Sequence, residues 1–392
     1  MGKGGDNQSA PRPERPLSRL QSVESETDFQ SRAELNSIEP TIDNDNRKDI
    51  QAENHTLLRE REEKVAKEPK FHWDHRNNPH ENRRKDILKA HPEVKKHFGI
   101  DPLTKYKVIA TIAFQISSIH LLQGAPWYTW AFCCYTICGM TNHMISLSLH
   151  EISHNLAFKK VVSNRILAII SNLPMGIPAA ASFKRYHMEH HRYQGEFGVD
   201  PDLPLDFEGW FFSSRAKKAL WVFLQPATYS LRPLITNPKS PGKWEIINIS
   251  AAVAFDLSIL YVFGLGGLLY LLLGTILGLG LHPMSGHFLS EHLVLCEGQE
   301  TFSYYGPLNW LGYNVGYHNE HHDFAFVSVK NLPMMRVCAP EFYDDIAHYH
   351  SFVKVLYDFI FDDKLSPYSR IKRVNVENSE IKELRARGGL IK

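Results

Sequence analysis

Three histidines, His318, His321 and His322, stand at offsets i, i+3 and i+4. On a helix these offsets share one face, within reach of a common metal ion. The same spacing occurs at His187, His190 and His191, and His150 and His154 form a third cluster at i, i+4. Eight imidazoles at helical periods point to a metal centre with nitrogen ligands. The count favours two ions of four or five ligands each, so a further donor is expected. The stretch Leu281–His292 supplies it. His287 is the first choice and His292 the reserve, while His282 reads as helix-end packing. Glu151, Asn155, Glu320 and Asp323 are the candidates for orienting the ligands from behind.

Two rival chemistries are visible. His150-Glu151-Ile152-Ser153-His154 matches HExxH, the helical signature of zinc proteases, with Glu151 as the base. That reading uses two of the eight histidines and leaves both HxxHH clusters idle. A zinc transporter would place its ligands near the bilayer midplane, whereas these clusters flank the apolar runs. Redox-inert zinc explains hydrolysis. Two iron ions held by imidazole beside a membrane suit the activation of dioxygen against an alkyl chain.

The clusters need elements to hold them. Lys+Arg 44 against Asp+Glu 43 gives a net charge of +1 over 392 residues, so nothing global points to nucleic acid. Apolar residues are segregated along the chain. Residues 1–68 carry too little apolar surface to fold and read as disordered, with Asn54–Lys67 able to form a charged helix. Residues 69–105 read as a juxtamembrane segment. The basic, histidine-dotted run Phe71–Asp101 within it is expected to be solvated near anionic headgroups.

Apolar runs at about 106–122, 127–149, 246–263 and 268–284 approach the ~20 residues a bilayer requires. They form two hairpins whose far turns lack Lys and Arg. The positive-inside rule then puts both termini in the cytosol. An even number of spans separates successive clusters, so all three emerge on one side. The expected fold is an all-α membrane protein: four transmembrane helices in two hairpins, with a cytosolic helical cap carrying the histidines. This membrane domain covers 106–373, and 374–392 is a charged tail.

Within the domain, Val161–Ser182 reads as interfacial or re-entrant. Gly209–Leu234 reads either as a helix in the headgroup layer or as one packed on the cap. Glu341–Phe361 reads as a helix with His348 and His350 beside it, and residues from Ser366 onward are expected to fray. Cys133, Cys134 and Cys138 read as small packing residues. With Cys296 and Cys338 they form no CxxC pair, which suits a reducing compartment. No signal-peptide core opens the chain, and Asp6 breaks a myristoylation pattern at Gly2.

The residues around the clusters carry a resemblance. They are Pro79-His80-Glu81-Asn82-Arg83-Arg84-Lys85, Ser148–Asn155, Arg185–His191, Val199-Asp200-Pro201-Asp202-Leu203-Pro204 and Asn314–Phe324. From about Phe71 to Arg373 the chain resembles the sphingolipid delta-4 desaturases, or dihydroceramide desaturases, a branch of the membrane fatty-acid desaturase superfamily. The resemblance implies an oxygen-dependent diiron oxidoreductase of the endoplasmic reticulum, fed from NADH through cytochrome b5 and its reductase. It implies a trans double bond between carbons 4 and 5 of the sphingoid base, converting dihydroceramide to ceramide. Some relatives hydroxylate carbon 4 instead or do both. The family's ligands fall on the eight box histidines, with His287 as a weaker match. One departure follows His322, where Asp323-Phe324-Ala325-Phe326-Val327-Ser328-Val329-Lys330 lacks the family's prolines. The loop is therefore expected to be freer.

Overall fold

The computed structural model describes residues 71–74, 78–294, 296 and 298–373, all within one unit spanning 68–392. The polar head, including Gly2 and Asn54–Lys67, and the tail 374–392 lie outside the described residues.

Strand β1 (His72–Trp73) leads into α1 (Pro79–Ala90), which starts where the Asn78 side chain accepts the His80 N–H and proline occupies the first turn. Helix α2 (Thr104–Leu121) follows Asp101, whose carboxylate accepts the Leu103 N–H at 3.0 Å. Gly124, at φ +74°, and Pro126 reverse the chain. The return rod is α3 (Trp127–Cys133), a wide π turn (Cys134–Cys138) and α4 (Gly139–Ser153) without interruption. Then come α5 (Val161–Asn172), α6 (Ala180–Arg192), α7 (Asp206–Phe211), α8 (Arg215–Phe223) and α9 (Gln225–Thr236).

The apolar stretch α10 (Lys243–Leu279) is continuous in name only. Gly264 sits at φ +69°, ψ −174°, outside helical geometry. Asn248, before it, donates to Asn172 Oδ1, while Thr275, after it, donates to the Met175 carbonyl. Along one straight helix Asn248 and Thr275 would be roughly 40 Å apart. Both reach the same short segment because the chain doubles back at Gly264. The second hairpin therefore exists. Its turn is one glycine, Gly264, which falls in the gap between the expected runs 246–263 and 268–284. Its second arm ends at Leu279, short of the expected residue 284, because Gly280 leaves helical geometry (φ −93°, ψ −121°).

The hairpins pack through small residues. A Cβ on Gly278 would lie 2.1 Å from the Gly139 carbonyl oxygen, and one on Gly274 would collide with Cys138. Cys134 and Cys138 are buried against Tyr270, in the packing role expected of them. Among the described residues, only the stretch Lys243–Leu279 has by itself the length and apolar composition of a membrane span, and it is folded into two arms at Gly264. The pair Val161–Met175 and Ala180–Arg192, bent by 115°, reaches that standard together, as a re-entrant reading requires.

Four expectations change. The Gly209–Leu234 region is three helices, not one. Phe212, Trp221 and Val222 pack on the cap, while Trp210, Leu231, Leu234 and Ile235 face outward. The helix expected from Glu341 begins only at Phe352 (α14, Phe352–Phe361), where the Ser351 side chain accepts the Lys354 N–H. Residues 371–373 do not fray: β4 (Ile371–Lys372) pairs in parallel with β1. A second parallel pair joins β2 (Ser303–Tyr304) to β3 (His348–Tyr349), so the cap is not purely helical. The other cap helices are α11 (Gly286–His292), α12 (His318–Asp323) and α13 (Leu332–Cys338).

Candidate metal centre

The three clusters meet. His150 and His154 close α4, His187, His190 and His191 occupy the last turns of α6, and α12 carries His318, His321 and His322. One group comprises His150, His154, His187, His191 and His321. A second comprises His190, His292 and His322. His318 joins the second, its Nε2 lying 3.0 Å from His292 Nε2. The groups adjoin, since the His191 and His322 rings stack at 4.2 Å.

Facing ring nitrogens lie 2.9 Å apart for His154–His187, 3.1 Å for His187–His191, and 3.0 Å for both His191–His321 and His190–His292. Nitrogens on neighbouring corners of an octahedron, each about 2.1 Å from a shared ion, lie about 3.0 Å apart. His150 and His322 have both ring nitrogens buried without a hydrogen-bond partner. Burial pushes the His150 pKa down to about 3, and holds His154, His187, His191, His318, His321 and His322 well below the usual histidine value. These rings are neutral and offer lone pairs. A set of converging imidazoles, most of them held neutral and two with no partner at either nitrogen, fits two transition-metal ions.

His287, the first choice for the ninth donor, stands outside both groups. Its Nδ1 lies 3.1 Å from His143 Nε2, and its Nε2 lies 3.1 Å from Glu291 Oε1. The reserve, His292, stands within the second group. His282 caps a short turn by accepting the Met284 N–H, and His348 and His350 bond backbone carbonyls.

The groups behind the rings also differ from expectation. Glu151 accepts the Val329 N–H, and Asn155, at φ +62°, accepts from Lys184. Glu320 accepts from Ser303 and Tyr305. Asp323 accepts from His80 at 2.7 Å, Arg83 at 2.8 Å and Tyr343 at 3.0 Å. None of these bonds reaches a ring of either group: Glu151 takes a backbone N–H, and the other three take side chains, His80 among them. Ring orientation falls to Asp200, 3.0 Å from His190 Nδ1; Glu291 Oε1 lies 3.3 Å from His318 Nδ1 but outside hydrogen-bonding geometry. Burial acts to lower the His190 pKa, but the Asp200 carboxylate overrides it and raises the value. Asp200 is itself pinned by the N–H groups of Gly195 and Asp202.

His80 was missed as well. The run Phe71–Asp101 is not merely solvated: α1 drives His80 and Arg83 into the base of α12, where Arg83 also donates to Asn319. The loop after His322 is firmly held without its prolines. Phe324, Val327 and Val329 are buried, Asn331 bonds the His97 carbonyl, and Asn314 bonds the Val329 carbonyl.

A cavity with a mostly apolar lining opens onto both groups through His150, His187, His190, His292 and His318. Leu149, Met175, Phe183, Leu279 and Phe288 supply much of its wall. Such a space suits an alkyl chain laid across the imidazoles.

Residues 125–353 match the family model of fatty acid desaturases, and residues 67–103 match that of the Sphingolipid Delta4-desaturase (DES). The chain is 48% identical over 305 residues to the sphingolipid delta(4)-desaturase/C4-monooxygenase DES2 of Rattus norvegicus, covering 77% of this chain and 94% of that protein. It is equally similar, at 48% over 305 residues, to the sphingolipid delta(4)-desaturase DES1 of Homo sapiens, with the same coverage. Identity to DES1 of Xenopus tropicalis is 50% over 305 residues, again 77% of this chain and 94% of the relative.

Proposed function

Since the chain belongs to the sphingolipid delta(4)-desaturase family and is an oxidoreductase, we propose that it places a trans double bond between carbons 4 and 5 of the sphingoid base, converting dihydroceramide to ceramide. The observation that carries this reading is the meeting of nine imidazoles, in two adjoining groups, on the wall of an apolar cavity.

Two iron ions fit these donors. His150, His154, His187, His191 and His321 would hold one, and His190, His292, His318 and His322 would hold the other. When bound, the iron pair supplies the redox chemistry by which dioxygen, two electrons and two protons remove two hydrogens from an alkyl chain and leave two waters. The protein orients the His190 ring through Asp200, and the apolar wall keeps bulk water from the chain. Electrons come from NADH through cytochrome b5 and its reductase. The enzyme sits in the endoplasmic reticulum membrane with four spans, in two hairpins, and with the metal centre and both termini cytosolic.

Glu151 counts against a zinc protease. Its carboxylate is committed to the Val329 N–H, not free to act as a base. Hydroxylation at carbon 4 is a second reading, favoured by the C4-monooxygenase activity named for the rat relative. Membranes expressing the chain, given dihydroceramide, NADH and the cytochrome b5 system, should yield ceramide, and the His321→Ala variant should not. Product mass separates the alkene from the 4-hydroxylated base. Equal product from both chains would end the assignment.

A further inference from the structure

The cavity has two chemically different ends. Its apolar wall runs past Leu149, Met175 and Leu279. At the other end Asp202, Gln225, Tyr229 and Glu291 line it, and the same four residues also line a second hollow that continues toward Arg232 and Arg370. Asp202 is already engaged by Arg370. Two other polar atoms here are not satisfied. Gln225 is 6% exposed, and its Nε2 has no hydrogen-bond partner. Glu291 Oε1 is also buried without one: it lies near His287 Nε2 and His318 Nδ1, but not in hydrogen-bonding geometry. Leaving a buried donor or acceptor unmet is destabilising. One unmet donor and one unmet acceptor lining one end of a cavity are complementary to a group offering both, as a hydroxyl or a secondary amide does.

We propose that Gln225 and Glu291 bind the polar end of the sphingoid base, its hydroxyl and amide groups at carbons 1 to 3, and so set where along the chain oxidation occurs. This rests on the reading of the chain as a sphingolipid desaturase. The connectivity of the substrate supports it. Carbons 4 and 5 follow carbon 3 directly, so an anchor for the polar end must adjoin the imidazoles. Glu291 does so, next in sequence to His292 and 3.3 Å from His318 Nδ1. Gln225 opens α9, and Tyr229, one turn on, shares its face. An enzyme that oxidised the middle of a long chain would need its polar contacts far from the metals. Here position is measured from the polar end.

The test uses full-length protein reconstituted in nanodiscs, with Gln225→Leu and the isosteric Gln225→Glu, which lacks the donor. The probes are dihydroceramide, its 1-deoxy analogue and its N-methyl amide. Wild type should show a lower KM for dihydroceramide than for at least one analogue. Both variants should raise the KM for dihydroceramide roughly tenfold, the scale of one hydrogen bond, and erase that preference at unchanged iron content. Part of the product should also carry its double bond away from carbons 4 and 5. A variant that slows all three substrates equally, or none, overturns the proposal. A thermal-shift arm separates it from the assigned reaction. If wild type converts nothing, yet dihydroceramide stabilises it more than the analogues do and this difference vanishes in Gln225→Leu, the binding site stands and the reaction falls. If no probe distinguishes the variants in either arm, the site falls.

Discussion

The contact between α1 and the third histidine cluster can be tested through Asp323. This carboxylate is fully enclosed and accepts from three side chains, two of them contributed by α1. Burial acts to raise its pKa, but Arg83 and His80 overcome this and hold it below the ordinary value, so it is ionised at neutral pH. Replacing Asp323 by Ala strands a largely buried guanidinium and leaves two further polar side chains without their acceptor. Breaking one member of a buried ion pair costs about 3–5 kcal/mol. Unfolding entropy near 2.1 cal/mol/K per residue over roughly 300 residues converts that to a fall in Tm of about 5–8 °C. A control is Lys354→Ala, which removes the exposed Lys354–Asp358 pair and should cost well under about 1 kcal/mol. The assay is thermal unfolding of purified protein in detergent, with iron content measured alongside. Asp323→Ala should lower both Tm and iron occupancy, because α12 carries His318, His321 and His322. A Tm within about 1 °C of wild type with iron retained would refute the reasoning and reduce α1 to a surface segment.

Metal analysis separates the two candidate ninth ligands: wild type should hold about two irons per chain, His292→Ala should lose roughly one, and His287→Ala should keep both. The buried Glu208–Arg232 pair predicts a pH dependence. Burial raises the Glu208 pKa, but Arg232 outweighs it and the net shift is downward. The pair's stabilisation is therefore present above the unfolded carboxyl value of about 4.3 and lost as pH falls through the folded one. The Tm gap between wild type and Glu208→Gln should be constant from neutral pH to about 5 and close below about 4, and a gap flat throughout would contradict this. Gly278→Ala should destabilise by about 1–3 kcal/mol, because its methyl would meet the Gly139 carbonyl, and unchanged thermal unfolding would show that the hairpins can separate there without loss.

The box histidines were legible because each cluster lies on consecutive turns of one helix, so spacing alone puts its rings on one face. The hairpins were legible for a similar reason: apolar length and glycine turns are local signals. What escaped depends on distant chain. His80 gains its role from Asp323, 243 residues away, and no local pattern distinguishes it from the other histidines of its basic segment. Asp200 acts from a turn, where no periodicity aims a side chain. His292 was ranked below His287, and no local signal separates two histidines of one short helix. Gly280 breaks the rod, and α11 then brings its last residue, not its second, to the other rings. The loop after His322 misled in the opposite sense. Proline content is a local guide to stiffness, but burial of Val327 and Val329 fixes this loop from outside it.

The pairing of β4 with β1 has a consequence for how the protein comes into being. Residues 370–373 are among the latest of the described fold to leave the ribosome, and they place Arg370 on Asp202 and Arg373 on Glu300. Every helix that contributes an imidazole has been synthesised before those two counter-charges receive their cations. Those two ion pairs can therefore form only after every ring-bearing helix has been made.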